Sequence, residues 1–306
     1  MAKHLLWKFG STLLTLLAMT LLIFVTVRLI GDPAHTLLPP EATPADRMVL
    51  RHELGLDRPL LTQYLIYLWH LLHGDVGRSF LTNQSAFASL LPEIWPSVLL
   101  SGAALLVSVA LGLPWGAVAA LRPHGVLAGS ASVFEMFGLA APPFLVGLLL
   151  IRFFSVQLHW LPTGGFGTLQ NLLMPAFALS LYTAAALLRL TRATMQKTLA
   201  SDYVRFARLK GVPERVLVFR HALKNAALPI VTFAASQFGT LIAGAVSIEL
   251  VFSWPGIGKS MVDAISQLDF PVVQAAAIVI VLIFVTTNFL TDLLYVWLDP
   301  RIRFSA

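Results

Sequence analysis

The chain has 306 residues, of which 57% are hydrophobic and 12% charged, with a formal net charge of +6 and no cysteine. Soluble domains carry about 25% charged residues, so this composition, with a mean hydropathy of +0.80, belongs to a protein dissolved in lipid. Without cysteine, disulfides, thiolate metal sites and cysteine nucleophiles are excluded, and in a membrane protein the positive balance reflects cytoplasmic Lys and Arg rather than a nucleic-acid partner.

The first apolar run, Ser11 to Ile30, follows Lys3, His4 and Lys8 and closes with "RLIGDP". The apolar core of a cleaved signal peptide is only about 7–15 residues long, so a retained span is expected. Residues 31–96 form a polar stretch with structure of its own. Thr43 followed by Pro44 has the form of a helix start, threonine as cap and proline in the first turn. Further on, "RPLLTQYLIYLWHLLHG" places Leu61, Tyr64, Leu65, Leu68, Leu71 and Leu72 on one helical face. Such a helix is expected at the membrane surface or against the spans. His70 and His73 stand at a spacing compatible with metal ligation, but no carboxylate is plainly placed to complete a site.

Five further apolar stretches follow, and with the first they give spans at about 10–30, 97–121, 131–155, 172–190, 228–250 and 273–297. Backbone groups in lipid must pair internally, so all are expected to be helices. With the N-terminus inside, the inner segments hold Lys3, Lys8, Arg122, the dense run from Arg189 to Lys224, Arg301 and Arg303. Both termini are therefore expected in the cytoplasm. The third span carries "GLAAPPFLVG", where Pro142 and Pro143 interrupt helical hydrogen bonding. In the fifth, Ser236, Gln237, Gly239 and Thr240 make a small polar strip.

After the fifth span comes "SWPGIGKS", whose end matches the tail of a phosphate-cradling loop. Ser253 stands where that pattern needs glycine, and such a loop requires a preceding strand in a soluble domain. A rigid interfacial turn at Trp254 and Pro255 fits better.

The inner loop "ASDYVRFARLKGVPERVLVFRHALKNAALP", residues 200–229, sets Tyr203, Phe206 and Ala207 at helical spacing and extends the turn through Lys210. Gly211 is expected to stop that helix and Pro213 to begin a second, basic one from Arg215 to Asn225. On residues alone, the loop could lie on anionic headgroups or dock a protein.

This loop resembles the cytoplasmic loop of binding-protein-dependent ABC importer permeases of the peptide and nickel branch. The resemblance covers essentially the whole chain: "GDPA", "LGLDRPLLTQY", "GDVGRSF", "LHWLPTGG", "VFSWPGIGKSMVDAISQLDFPVVQA" and "DPRIR" occur in order. It implies an all-α polytopic membrane protein with six transmembrane helices in the type I ABC importer permease fold, including an external loop region with amphipathic helices and a cytoplasmic coupling helix. The expected division is 1–30 (tail and first transmembrane helix), 31–96 (external loop region) and 97–306 (a core of five transmembrane helices with the coupling loop at 195–228).

The resemblance further implies that Tyr203, Phe206, Ala207, Lys210 and Gly211 couple the chain to an ATPase. Arg205 and Phe206 replace the Glu and first Ala of the family's general pattern, and Lys224 occupies the place of its proline. Implied partners are a second homologous permease, two cytoplasmic ATPases that bind ATP and Mg, an external solute-binding protein and the lipid bilayer of a bacterial inner membrane. The chain itself is expected to carry no cofactor, metal or catalytic residue. Expected cargo is di- or oligopeptide, with nickel or a metal chelate as rival. Pro142, Pro143, Ser236, Gln237 and Thr240 are expected along the translocation path.

A different class, a proton-coupled secondary transporter, would use the acids in or near spans, Glu135, Glu249 and Asp292. Their places near span ends fit structural partners of arginines or backbone donors better. A membrane scaffold without transport is disfavoured by the broken, polar-striped spans.

Overall fold

The computed structural model describes residues 2–30, 37–38 and 41–298. The segment "GDPA" and the closing "DPRIR" lie outside the described residues. The chain order is α1 (Ala2–Ile30), α2 (Pro44–Glu53), α3 (Leu60–Leu72), α4 (Ala86–Leu121), α5 (Val126–Ala140) and α6 (Pro143–Leu150), which continues as the π-helical turn Ile151–Gln157. Next come α7 (Leu169–Leu199), α8 (Asp202–Leu209), α9 (Glu214–Val216, continued by π-helical Leu217–Ala222), α10 (Leu223–Val251), α11 (Ile257–Ser266) and α12 (Phe270–Leu298). Among the described residues the only extended pairing is an isolated bridge between Arg78 and Ser85.

Four described helices are long and apolar enough to cross a membrane: α4, α7, α10 and α12 over Phe270–Thr291. The expected third span is a broken pair, Val126–Ala140 and Pro143–Gln157, bent by 108°. Its cause is local. Pro142 and Pro143 lack N–H groups, Ala141 before them turns to extended backbone at ψ 124, and Pro142 becomes the N-cap of α6. The expected first span falls on α1, 29 residues long, whose Leu14–Leu29 part forms a shorter apolar helix.

The chain divides into two compact units: residues 1–97 with 255–283, and residues 98–254 with 284–306. In the first, Thr43 caps α2 as its sequence predicts. The Thr43 hydroxyl accepts from the Asp46 N–H at 3.3 Å, and the Asp46 carboxylate accepts from the Thr43 N–H at 2.9 Å, a reciprocal capping box. Bonding to Thr43 holds that carboxyl below its ordinary value. Helix α3 leaves most of its leucine stripe uncovered within the chain. Gln63 and Tyr67 are its buried residues, while Leu61, Leu65, Trp69 and Leu72 point outward. The reason is α1. Phe24 packs edge-on to Tyr64 with centroids 5.2 Å apart, and Arg28 Nε donates to Gln63 Oε1 at 2.8 Å.

The first unit is also tied across sequence by Asp269, 3% exposed. Its carboxylate accepts from the Ser79 hydroxyl at 2.5 Å and the Phe80 N–H at 3.0 Å. This joins the "GDVGRSF" and "LDFP" segments. Asp269→Ala strands both donors in a dry site, which costs about 2–3 kcal/mol. A lowered unfolding midpoint of the detergent-solubilised protein is the expected result.

In the second unit α7 is the hub, packing against α5, α6 and α10. Small residues bring the helices close, as lipid-embedded packing requires. A Cβ placed on Gly112 or Gly116 of α4 would lie 2.7 Å from Ala184 O or 2.6 Å from Leu188 O. On Gly138 of α5 it would lie 2.6 Å from the Ala185 Cβ. The core at one end of this unit gathers Leu100, Met174, Leu179, Leu241, Ile248, Phe252 and Trp254. Trp254 meets Phe166 edge-on at 5.0 Å.

Candidate functional site

The loop between α7 and α10 is built as two short helices around a glycine turn. Helix α8 ends in a Schellman pattern: the Gly211 N–H donates to Arg208 O at 3.0 Å and the Val212 N–H to Ala207 O at 3.3 Å. That closure needs a left-handed residue, and Gly211 has φ +78, a conformation in which glycine carries no Cβ penalty. Across the turn, Arg208 grips Glu214 with two bonds, Nη2 to Oε1 at 2.7 Å and Nε to Oε2 at 3.2 Å. The guanidinium holds the Glu214 carboxyl below its ordinary value.

Because Glu214 titrates lower in the folded loop than in an unfolded chain, the clamp is fully present above the ordinary carboxylate range near 4 and is lost as pH falls through the lowered folded value. Between pH 6 and 8 it therefore does not change, but salt screens it. Hydrogen exchange at the Gly211 and Val212 amides is expected to quicken in 1 M salt in the wild type. Glu214→Gln is expected to show faster exchange already at low salt and little further salt response.

Around this turn the nominated residues occupy distinct places. Helix α8 packs on the π-helical segment after α9 and buries Val204. Its opposite side carries Tyr203, Phe206 and Leu209, which are 46%, 61% and 82% exposed. Asn225 Nδ2 donates to the Tyr203 hydroxyl at 2.7 Å, tying α8 to the start of α10. Lys210 Nζ lies 5.0 Å from the Phe206 ring centroid. Ala207 is half-buried, while Lys210 and Gly211 are exposed. A Cβ on Gly211 would meet nothing within 4 Å in this chain.

The second loop helix differs from its expected form. It does not close at Asn225: three α-helical residues pass into the π turn and then directly into α10, with Pro229 inside that helix. Loop and span are thus continuous helix. Reading the residues alone missed the Val204 anchor and the Arg208–Glu214 clamp. The six-residue spacing of that ion pair across a Gly-x-Pro turn was its available signal.

The nominated path residues lie in the second unit. Pro142 and Pro143 form the break between α5 and α6, and α6 packs against α10. On α10 the polar strip divides between environments. The Ser236 hydroxyl donates to Phe233 O at 2.8 Å, Gln237 is buried, and Thr240 is exposed. Between them, Gly239 lies against Phe284.

Of the acids, Glu135 Oε1 lies 3.8 Å from Arg192 Nη1, which also donates to the Ser132 hydroxyl at 2.9 Å. Glu249 is buried, and Asp292 lies in α12 with its side chain outside the described residues. His70 Nδ1 is 3.5 Å from Asp75 Oδ2, and His73 Nδ1 is 2.8 Å from Trp69 O. Among the described residues, no group of three or more His, Asp and Glu is placed to hold a metal ion. "SWPGIGKS" follows helix α10 rather than a strand; Ser253 turns at φ +49, Gly256 caps α11, and Lys259 Nζ bonds Asp263 Oδ2 at 2.6 Å.

A multi-pass helical membrane protein, with a broken span and a braced basic loop joined to two spans, is the class these features define. Residues 112–304 match the family described as binding-protein-dependent transport system inner membrane component, and residues 1–91 match its N-terminal companion. A protein of Brucella suis biovar 1, provisionally named a peptide permease, is 40% identical over 302 residues, covering 94% of this chain and 95% of its own. A glutathione transport system permease protein of Salmonella choleraesuis is 35% identical over 306 residues and all of both chains. Its namesake in Pectobacterium atrosepticum is 37% identical over 292 residues, 95% of each. The chain belongs to the inner-membrane components of binding-protein-dependent transport systems, the permease subunits of ABC importers.

Proposed function

We propose that this permease subunit carries di- or oligopeptides inward, and that its loop 195–228 couples the movement to ATP hydrolysis on separate subunits. The observation that carries the coupling is the build of α8. One side is anchored through Val204, and the other presents Tyr203, Phe206 and Leu209 to the surroundings. The Schellman turn and the Arg208–Glu214 clamp hold its orientation. Exposed aromatic knobs on a rigid support are what anchor protein interfaces. With continuous helix behind it, a push on α8 is transmitted as rigid-body rotation rather than absorbed by a loose loop.

The full assembly would hold a second homologous permease, two cytoplasmic ATPases that bind ATP and Mg, and an external solute-binding protein. Both termini would face the cytoplasm, following the inner-loop charges. ATPase closure beneath α8 would open the path outward, and release of ADP and phosphate would return it inward. The break at Pro142 and Pro143, together with Ser236, Gln237 and Thr240, would line that path. Peptide is preferred over nickel because the relatives above are named for peptide and glutathione transport.

Uptake into proteoliposomes holding the purified assembly tests this. Labelled dipeptide or glutathione should enter only with the binding protein and ATP, and excess nickel should not compete. Uptake driven by a proton gradient without ATPase subunits would overturn the reading. So would recovery of the chain alone under conditions that keep a known ABC complex intact.

A further inference from the structure

Within the first unit, a cavity of about 230 Å³ opens between α1, α3 and the start of α12. Its lining is a cluster of hydrogen-bond donors set among apolar walls. Arg28 enters from α1, Tyr67 and His70 from α3, and Gln274 from α12, with Leu54 and Phe270 among the walls. Tyr67 is 9% exposed, and its hydroxyl is buried with no hydrogen-bond partner among the described residues. A buried O–H left unpaired costs free energy unless something meets it. Burial raises the phenol above its ordinary value, so it stays a neutral donor at physiological pH. Gln274, 6% exposed, adds an amide.

Arg28 is fixed from behind. Its Nε donates to Gln63 Oε1 at 2.8 Å and its Nη1 to Phe24 O at 3.4 Å. The guanidinium carbon lies 3.5 Å from the Phe24 ring centroid, and the Tyr67 ring packs against the same phenylalanine at 5.8 Å. Gln63 is itself anchored by donating to Leu56 O and Arg58 O at 3.2 and 2.7 Å. These bonds leave most of the five guanidinium donors unused, and among the described residues no carboxylate lies within ion-pair distance of Arg28. The one carboxylate in the lining, Asp75, is occupied at the rim. Its Oδ1 accepts from the Gly77 N–H at 2.9 Å, and its Oδ2 is 3.5 Å from His70 Nδ1.

The geometry points to a binding site for a small oxyanion, a carboxylate or a phosphate, held by the Arg28 guanidinium with the Tyr67 and Gln274 donors. A planar guanidinium fork matches both groups, and an apolar wall strengthens each bond by excluding water. The volume exceeds that of several waters, each of which takes about 30 Å³ in the liquid. The oxyanion can come free in solution or as the phosphodiester of a lipid. Neither source depends on the peptide-transport reading.

The test uses the purified full-length chain in a phosphate-free maltoside detergent. Inorganic phosphate and acetate are titrated against chloride at equal ionic strength, with the thermal midpoint as readout, and native mass spectrometry records any phosphatidylglycerol retained. A saturable rise with phosphate or acetate is expected if the anion is free, and a retained phosphatidylglycerol if it belongs to a lipid. In either case Tyr67→Phe should weaken the effect at least fivefold, and Arg28→Gln should abolish it. Because Arg28→Gln also removes packing on Phe24, Tyr67→Phe decides. If Tyr67→Phe raises the midpoint and leaves phosphate, acetate and lipid binding unchanged, the hydroxyl is only an unpaired group and the proposal fails. It fails equally if the wild type binds none of the three and the cavity holds water alone.

Discussion

Gly211→Asp is expected to abolish ATP-driven uptake while the protein accumulates in the membrane at wild-type amounts. The reasoning separates the chain from its partner. Within the chain, a side chain at position 211 meets open space, so the internal cost is confined to left-handed backbone at φ +78, about 1 kcal/mol. The neighbours are basic, Arg205, Arg208, Lys210 and Arg215, so a new carboxylate meets attraction from its own loop. A transport defect must therefore arise where another surface comes close. A charge forced into the centre of a packed interface costs about 2–4 kcal/mol, which is roughly a 30- to 700-fold loss of docking. Gly211→Ala, with similar backbone strain and no charge, should retain measurable uptake. Normal uptake by Gly211→Asp in membranes holding wild-type amounts would remove α8 from the coupling path.

Gly116→Leu is expected to destabilise the second unit by about 1–3 kcal/mol, with lower accumulation and a lower thermal midpoint in detergent. The contact it meets is backbone, Leu188 O at 2.6 Å from an added Cβ, and backbone cannot swing aside as a flexible side chain would. Gly112 faces the same helix one turn earlier, so moving α4 away from α7 relieves both positions at once. Gly112→Leu combined with Gly116→Leu should then cost less than the sum of the single changes. Gly129 on α5 has nothing within 4 Å, and Gly129→Leu serves as the control. A midpoint for Gly116→Leu equal to that control would show that α4 and α7 are not held by this approach.

The helical character of the chain, the start of α2 and the stop at Gly211 were legible because each rests on local chemistry. Apolar length, a Thr-Pro cap and a glycine between two helical patterns are properties of neighbouring residues. What escaped was tertiary. Five leucines and Tyr64 on one face of α3 point to the membrane surface or the spans, yet within the chain that helix buries Gln63 and Tyr67, because α1 offers Phe24 and Arg28 as partners. A stripe of apolar residues does not say whether protein or lipid will cover it. The polar strip on α10 was readable as composition, but the burial of Gln237 beside an exposed Thr240 depends on how neighbouring helices rotate it. Likewise, Pro142 and Pro143 announce an interruption, while the 108° turn they permit is settled by α6 packing against α7 and α10. The pair Gly112-x-x-x-Gly116 is a close-approach signal, but nothing local sets it apart among 20 glycines.

The link between Ser79 and Asp269 joins residues 190 positions apart, and the apolar clusters around it draw on Val273, Ala275, Ala276 and Val279 as well. A ribosome adds about 5–20 residues per second, so the serine emerges roughly 10–40 s before the carboxylate that accepts its hydrogen bond. During that interval α1 to α3 have been made, but the partners that complete their unit have not. The middle of the chain, 98–254, is synthesised entirely within this window. The unit that begins the chain therefore cannot close until α11 and the start of α12 have been made, and its nascent form must be tolerated by the bilayer and the insertion machinery until then.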